Sequence, residues 1–284
     1  MSYACPGSEP ELVGPWKPQV RVLVDSAAGL PADVCEELEI QVEELHVLDS
    51  EEGHSTAGLS SLELAAAYAR QLERGGDRGL VALHLSKELS ATWSAAVTAS
   101  GVFDGKVSVV DTEAVGMAVG AAAMAAAKLA ADGADLETCT EIAADTLKRA
   151  HTWVYLHKIE DIRRSGRIST ATALLSTTLA TKPIMKLTGG KVELAAKTRT
   201  QTKAFSRLAE LAAENAEGQP VFVAIQHHDA EESAQRLHDI LCEALHEDSS
   251  FMIVPMTKVL AVHCGEGAVG LSMVSSQVVD RGES

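Results

Sequence analysis

Basic side chains are in short supply. Twenty-four Lys and Arg stand against forty Asp and Glu in 284 residues, a formal net charge of −16. A nucleic-acid partner calls for a basic face, and a global charge of this sign opposes one. Aromatics are scarce as well: four Phe, three Trp and three Tyr leave little for base-stacking platforms. The five cysteines, Cys5, Cys35, Cys139, Cys242 and Cys264, share no close spacing and are odd in number. That excludes a zinc knuckle, a redox CxxC pair and a disulfide framework, and points to free thiols in a reducing cytoplasm. No GxxxxGK[ST] loop occurs, so nucleotide binding by this chain has no support, and no GxSxG elbow occurs either. The longest apolar run, Ala114 to Ala127, has 14 residues, is mostly Ala, and is closed by Glu113 and Lys128. A membrane span needs about 20 strongly apolar residues, so this is a close-packed helix of a soluble protein and no stable membrane insertion is expected. The first 18 residues have neither a basic n-region nor an apolar h-region; they read as a loose tail rather than a signal peptide.

What is present is an ordinary globular balance, 46% hydrophobic and 23% charged, at a length natural for two α/β lobes. Runs rich in β-branched residues alternate with helical patterns through the first two-thirds, which predicts parallel strands with helical crossovers. The strands expected are Val20–Val24, Ile40–Leu48, Leu80–Leu85, Val107–Val110 and Trp153–Leu156. The helices expected are Ala32–Leu38, Ser61–Arg74, Ser90–Ala99, Ala114–Ala131 and Asp135–Arg149. The pattern then changes. Pro183–Leu187 and Lys191–Ala196 flank Gly189-Gly190 as an antiparallel hairpin. Helices near Lys203–Asn215 and Glu231–Leu245 follow, with strands Val221–Ile225, Phe251–Val254, Val259–Val262 and Leu271–Val274. This predicts an α/β protein with a loose tail at 1–18, a three-layer domain with a parallel sheet at 19–165, and a two-layer domain with a mixed sheet at 166–284.

Ligands of open parallel sheets bind beyond the carboxyl ends of the strands. Those ends carry hydroxyls here: Asp25-Ser26, Ser86, Ser90-Ala91-Thr92 and Asp111-Thr112, with Ser55-Thr56 and Ser60-Ser61 in the second crossover. Ser and Thr are favoured helix caps, and that role suffices for Ser26, Ser61 or Thr112 taken singly. Ser90-Ala91-Thr92 adds successive backbone amides at a helix start, where an anion such as a carboxylate is held without any lysine. A basic cluster follows: Arg163, Arg164, Arg167, Lys182, Lys186, Lys197 and Arg199. It is either a solvated edge that guards against strand pairing or an anion site. His263 leaves an apolar run next to Cys264-Gly265-Glu266-Gly267, and the two glycines permit close approach of a backbone or ligand. His227-His228-Asp229 lacks metal-ligand spacing and reads as loop and cap.

Seven segments in order resemble the DegV family of bacterial fatty-acid-binding proteins: VLVDSAAGLP (22–31), STAGLSSLEL (55–64), LHLSKELSATWSAA (83–96), VSVVDTEAVGMAVG (107–120), RRSGRIS (163–169), KPIMKLTGGKVELAAKTRT (182–200) and VLAVHCGEGAVGLSMV (259–274). The resemblance covers nearly the whole chain after the tail. It implies two α/β domains and a long-chain fatty acid as ligand, with no other cofactor and no metal. It also implies a dihydroxyacetone-kinase-like fatty acid kinase subunit as partner, which phosphorylates the bound acid to an acyl phosphate. Thr56 and Ser90, with Ala91 and Thr92, then bind the carboxylate. Arg167, Arg199 and His263 contact phosphate or partner, and Ser26, Gly265 and Gly267 are secondary candidates. The family's TSQPS reads Thr56-Ala57-Gly58-Leu59-Ser60 here, its LSGT reads Leu89-Ser90-Ala91-Thr92, and its GGRI reads Ser165-Gly166-Arg167-Ile168. On this reading the chain is a carrier with no catalytic residue of its own. The alternatives are a carrier or sensor for another lipid or small acid without a kinase, and an esterase or acyltransferase using Ser90. Burial of an acyl chain contributes about 0.8 kcal/mol per methylene, so sixteen carbons supply about 12 kcal/mol before ordering costs.

Overall fold

The computed structural model describes residues 19–50, 53–168 and 181–276. The segment 1–18, expected to be a loose tail, lies outside the described residues, as does Cys5. Two main sheets organise the chain. The first is all parallel in the order β2-β1-β5-β6, built from β1 (Arg21–Asp25), β2 (Ile40–Glu43), β5 (Leu80–Leu83) and β6 (Val107–Val110). Its strands alternate between two cores. Val22, Val24, Val81 and Leu83 face α4 (Met117–Ala131) and α5 (Leu136–Lys148), whereas Leu23, Leu80 and Ala82 face α2 (Ser61–Arg74) and α3 (Thr92–Ser100). Burial on both faces is why these strands read as continuous apolar runs. The result is the expected three-layer arrangement.

Local chemistry sets the helix starts. Ser60 and Glu63 close a capping box on α2, and Asp135 caps α5 by accepting from Thr138 N at 2.9 Å. Helix α4 begins at Met117 and not at Ala114, because Gly116 (φ 70°, ψ −153°) has a non-helical backbone that only glycine adopts freely. Alanine dominates α4 because the helix is buried between β1 and α5, where small side chains allow close approach.

The second sheet is mixed, in the order β11-β10-β12-β7-β8-β9. Its strands are β7 (Ala150–Tyr155), β8 (Lys182–Thr188), β9 (Lys191–Thr198), β10 (Val221–His227), β11 (Ser250–Pro255) and β12 (Val269–Ser275). Helices α7 (Gln201–Ala216) and α8 (Glu231–Ala244) cover one face through Phe205, Leu208, Leu237 and Leu241. The hairpin β8–β9 turns at Gly189-Gly190 as the sequence predicts. Its tip rests on the first sheet, where Ser86 Oγ donates to the Gly190 carbonyl at 3.0 Å. Met117 of α4 packs with Ala224 and Val254 of the second sheet, so the two units share a seam.

Three expectations are corrected. The strand expected at Trp153–Leu156 pairs antiparallel with β12 and β8, so the change of sheet falls between Val110 and Ala150 and not near 163–182. The single strand expected at Ile40–Leu48 is two: β2 ends at Glu43, and β3 (His46–Ser50) pairs with β4 (Gly53–Ala57) in a separate hairpin. Thr56 therefore lies on a strand. The strand expected at Val259–Val262 is part of helix α9 (Lys258–Cys264), which buries Val259 and stops at Gly265 (φ 74°). A four-residue apolar run fits either period, and here the helix wins by packing Val259 and Leu260 against the α2–α3 core.

Candidate functional site

A cavity with about 1010 Å³ of empty space, part of it open to solvent, lies between the two sheets. Its walls are largely apolar: Leu45, Leu85, Leu89 and Val115 on the first unit, and Val154, Met185, Leu187, Met256 and Val259 on the second. Four of the expected site residues meet there, Thr56, Ser90, Arg167 and His263, each carried by a different segment. Strand β4 supplies Thr56, the turn before α3 supplies Ser90, the turn after α6 (Ile159–Arg164) supplies Arg167, and the last turn of α9 supplies His263.

Thr56 Oγ1 and His263 Nε2 are hydrogen-bonded at 2.8 Å across 207 residues of sequence. Ser90 Oγ and Thr92 Oγ1 are hydrogen-bonded at 2.9 Å, and Ser90 Oγ also accepts from Thr92 N at 3.2 Å. Thr92 is fully buried and accepts from Leu59 N at 3.3 Å, so it holds the 56–60 segment against Ser90 without itself lining the cavity. Gly58 is the hinge of this contact. A Cβ there would lie 2.7 Å from Thr92 Oγ1 and 3.1 Å from Ser90 Oγ, distances that a side chain could not meet without displacing both hydroxyls. Glycine at the position of the family motif's Gln thus brings two hydroxyl-bearing segments together.

Burial holds His263 neutral. Desolvation first, and the nearby Arg167 guanidinium second, lower its pKa from the usual 6.5 to about 4. Its Nδ1 is buried without a hydrogen-bond partner among the described residues. Arg167 follows Gly166 (φ 68°) and turns its guanidinium back onto the Ser165 carbonyl at 2.5 Å.

The remaining expected residues lie elsewhere. Ala91 is exposed just before α3, outside the lining. Arg199 is exposed beyond the end of β9. Ser26 is buried and accepts from Leu45 N at 3.0 Å, which fixes the entry to β3. Gly265 ends α9, and Gly267 (φ 81°) packs against His157, where a Cβ would sit 3.1 Å from the imidazole's own Cβ. Sequence reasoning missed the wall supplied by the second sheet, including Thr152, Gln226 and Ser272. Ser272 carried a signal, a polar residue between Leu271 and Met273, whereas Thr152 and Gln226 sit beside His151 and His227 and stand out less.

Among the described residues no group of three or more His, Cys, Asp or Glu could hold a metal ion, and no helix is long and apolar enough to cross a membrane. Cys35, Cys139, Cys242 and Cys264 form no disulfide.

Comparison with known proteins places this geometry. A DegV domain-containing protein of Corynebacterium glutamicum is 62% identical over 256 residues, covering 90% of this chain and 93% of its own length. A crystal structure of a DegV family protein from the same organism superposes with a TM-score of 0.89 at 61% identity, covering 92% of this chain and 98% of that one. A Thermus thermophilus DegV family protein, described by its fatty acid binding, matches with a TM-score of 0.83 at 26% identity over 91% of this chain and all of that one. At 15% identity a Streptococcus pneumoniae fatty acid kinase B3 protein loaded with linoleic acid shares the fold, with a TM-score of 0.78 over 90% of this chain and 99% of that one. The family model for DegV, described as an uncharacterised protein family, matches residues 48–276. This chain belongs to the DegV family.

Proposed function

We propose that the chain binds a long-chain fatty acid in the inter-sheet cavity, with the carboxylate at Thr56 and Ser90, and presents it to an ATP-using kinase subunit. The observation that carries this reading is an apolar cavity in which Thr56 and Ser90 converge beside a neutral imidazole. A carboxylate in such a place must be hydrogen-bonded. In the neutral tautomer with its proton on Nε2, His263 donates to Thr56 Oγ1, which leaves the Thr56 hydroxyl proton to donate to the acid. Ser90 supplies a second donor from the opposite segment, and Arg167 supplies positive charge from the side. Hydroxyls hold the acid without consuming both oxygens, which suits transfer of a phosphoryl group to it by another protein. The kinase subunit, of the dihydroxyacetone-kinase type, follows from the family resemblance, as do the roles of Arg167, Arg199 and His263 in steering phosphate or partner. On this reading the seam between the two sheets matters most, since the ligand lies in it.

An esterase based on Ser90 finds less support. A nucleophilic serine needs an imidazole in reach and a group that orients that imidazole. Ser90 Oγ is engaged by Thr92, His263 is engaged by Thr56, and His263 Nδ1 has no partner among the described residues.

Native mass spectrometry of the freshly purified chain, followed by organic extraction, tests the binding. A co-purifying adduct with the mass of a fatty acid is expected. A chain that emerges empty and ignores added hexadecanoic and octadecanoic acids would refute the reading. Adding ATP and a kinase subunit, then trapping acyl phosphate with hydroxylamine, tests the presentation step separately.

A further inference from the structure

The inner wall of the cavity carries two hydroxyls that the carboxylate site does not use. Ser272 lies in the middle of β12 and is 3% exposed. Its neighbours Leu271 and Met273 point into the core beneath α7 and α8, so strand alternation turns Ser272 to the opposite, cavity-lining face. Thr152 of β7 sits directly opposite Ser272 in the antiparallel ladder, and its neighbour Trp153 also belongs to that core. Thr152 therefore faces the cavity as well. Side chains opposite each other in such a pair stand close enough for hydroxyls to hydrogen-bond to one another. Neither does: the two hydroxyls have no hydrogen-bond partner among the described residues.

Across from them, α4 begins. A Cβ on Gly116 would meet Gln226 Oε1 at 2.6 Å and come within 3.9 Å of Ser272 Oγ, so the glycine lets the start of α4 approach both side chains. Gln226 borders the same place, with its Oε1 already accepting from Met117 N at 3.0 Å. Gln226 Nε2 is buried there without a hydrogen-bond partner among the described residues, and Val115 and Val154 add apolar wall to the cavity. A purely aliphatic chain would leave both hydroxyls dry and unpaired, which is unfavourable.

The geometry points to a second polar station in the acyl cavity, Ser272 with Thr152, that takes an oxygen function on the chain itself: the preferred ligand is a hydroxy fatty acid. A hydroxyl both donates and accepts, as do Ser272 and Thr152, so one ligand oxygen satisfies both. This inference rests on the fatty-acid reading above and names a subclass of its ligand. A site built around a ligand hydroxyl discriminates against the analogue that lacks it, since its own buried groups are then left unpaired.

The test is competitive loading of the delipidated chain, read by native mass spectrometry. Octadecanoic acid competes in turn with its 3-, 10- and 12-hydroxy derivatives, and hexadecanoic acid with 16-hydroxyhexadecanoic acid. At least one hydroxy isomer is expected to win by about tenfold. In Ser272→Ala with Thr152→Val that advantage falls to about onefold, chiefly because octadecanoic acid binds more tightly once no hydroxyl is left unpaired, and its loading also reports that the variant is folded. If octadecanoic acid loads well and no hydroxy isomer is preferred, or if the preference survives both substitutions, the polar station is overturned and fatty-acid binding stands. If neither kind of acid loads, both readings fall together.

Discussion

Two histidines, His84 and His263, are treated differently by the fold. His84 is fully buried and fully used: its Nδ1 meets Asp25 Oδ2 at 3.2 Å and its Nε2 meets the Tyr68 hydroxyl at 2.9 Å. Asp25 in turn accepts from Leu85 N at 2.8 Å and Ala27 N at 3.0 Å. Burial, with Asp25 second, pushes the Tyr68 phenol well above its usual pKa, so it stays a protonated donor. Among the described residues His263 has one hydrogen-bond partner, Thr56, and an Nδ1 with none. A closed network rigidifies a core, and a half-closed one keeps capacity in reserve for something that arrives later. The chain of His84 contacts is architecture, and the His263 contact is the one that the proposed function uses.

The largest effect should come from breaking the closed network. Asp25→Ala strips His84, Leu85 N and Ala27 N of a shared acceptor, and removing one partner of a buried charged network costs about 3 kcal/mol or more. Urea unfolding should show that loss, and the surviving folded fraction should still load fatty acid. Full stability in this variant would mean the network carries no architecture.

Breaking the open cluster should do the reverse. Ser90→Ala removes one carboxylate donor, about 1.5 kcal/mol for a charge-assisted bond, and so weakens fatty-acid binding about tenfold. Its unfolding midpoint should move little. A variant that binds as tightly as the wild type would remove Ser90 from the site.

A third effect sharpens the contrast by pH. The unfolded chain protonates His263 near 6.5 and the folded chain only near 4. The unfolded state therefore binds the extra proton between these values, so folding stability falls as pH drops from about 6.5 to about 4. His263→Gln should flatten that part of the stability profile by up to one proton's worth of slope. Loading with a fatty acid should raise the His263 pKa, since a carboxylate favours the imidazolium and offsets Arg167. NMR titration of the ring protons with and without ligand would read this directly.

How far the sequence reaches follows from these same residues. The parallel sheet was legible because its strands are buried on both faces and its helices repeat cleanly, as in α2 with its Ser60 capping box. The hairpin at Gly189-Gly190 was legible from turn chemistry. Helix α9 was not, because Val259-Leu260-Ala261-Val262 satisfies both periods and only its packing decides. At the site, Ser90 and Thr56 could be singled out, but the Thr56–His263 bond joins segments 207 residues apart. Local pattern holds no information about which distant segment meets which. Thr152 and Ser272 escaped for the same reason: strand alternation tells that they share a face, and only the meeting of two sheets tells that the face lines a cavity.

The order of strands in the second sheet has a consequence for how the chain is made. Strand β12, the last in sequence, lies inside the sheet between β10 and β7. A ribosome must deliver residues 269–275 before the β7–β8–β9 and β10–β11 pieces can join. Until then the nascent chain carries two unpaired strand edges beside an unfinished apolar wall, a combination prone to association with other chains. A chain cut short before Val269 would lose the joint of the whole sheet along with one strand, and with it the cavity.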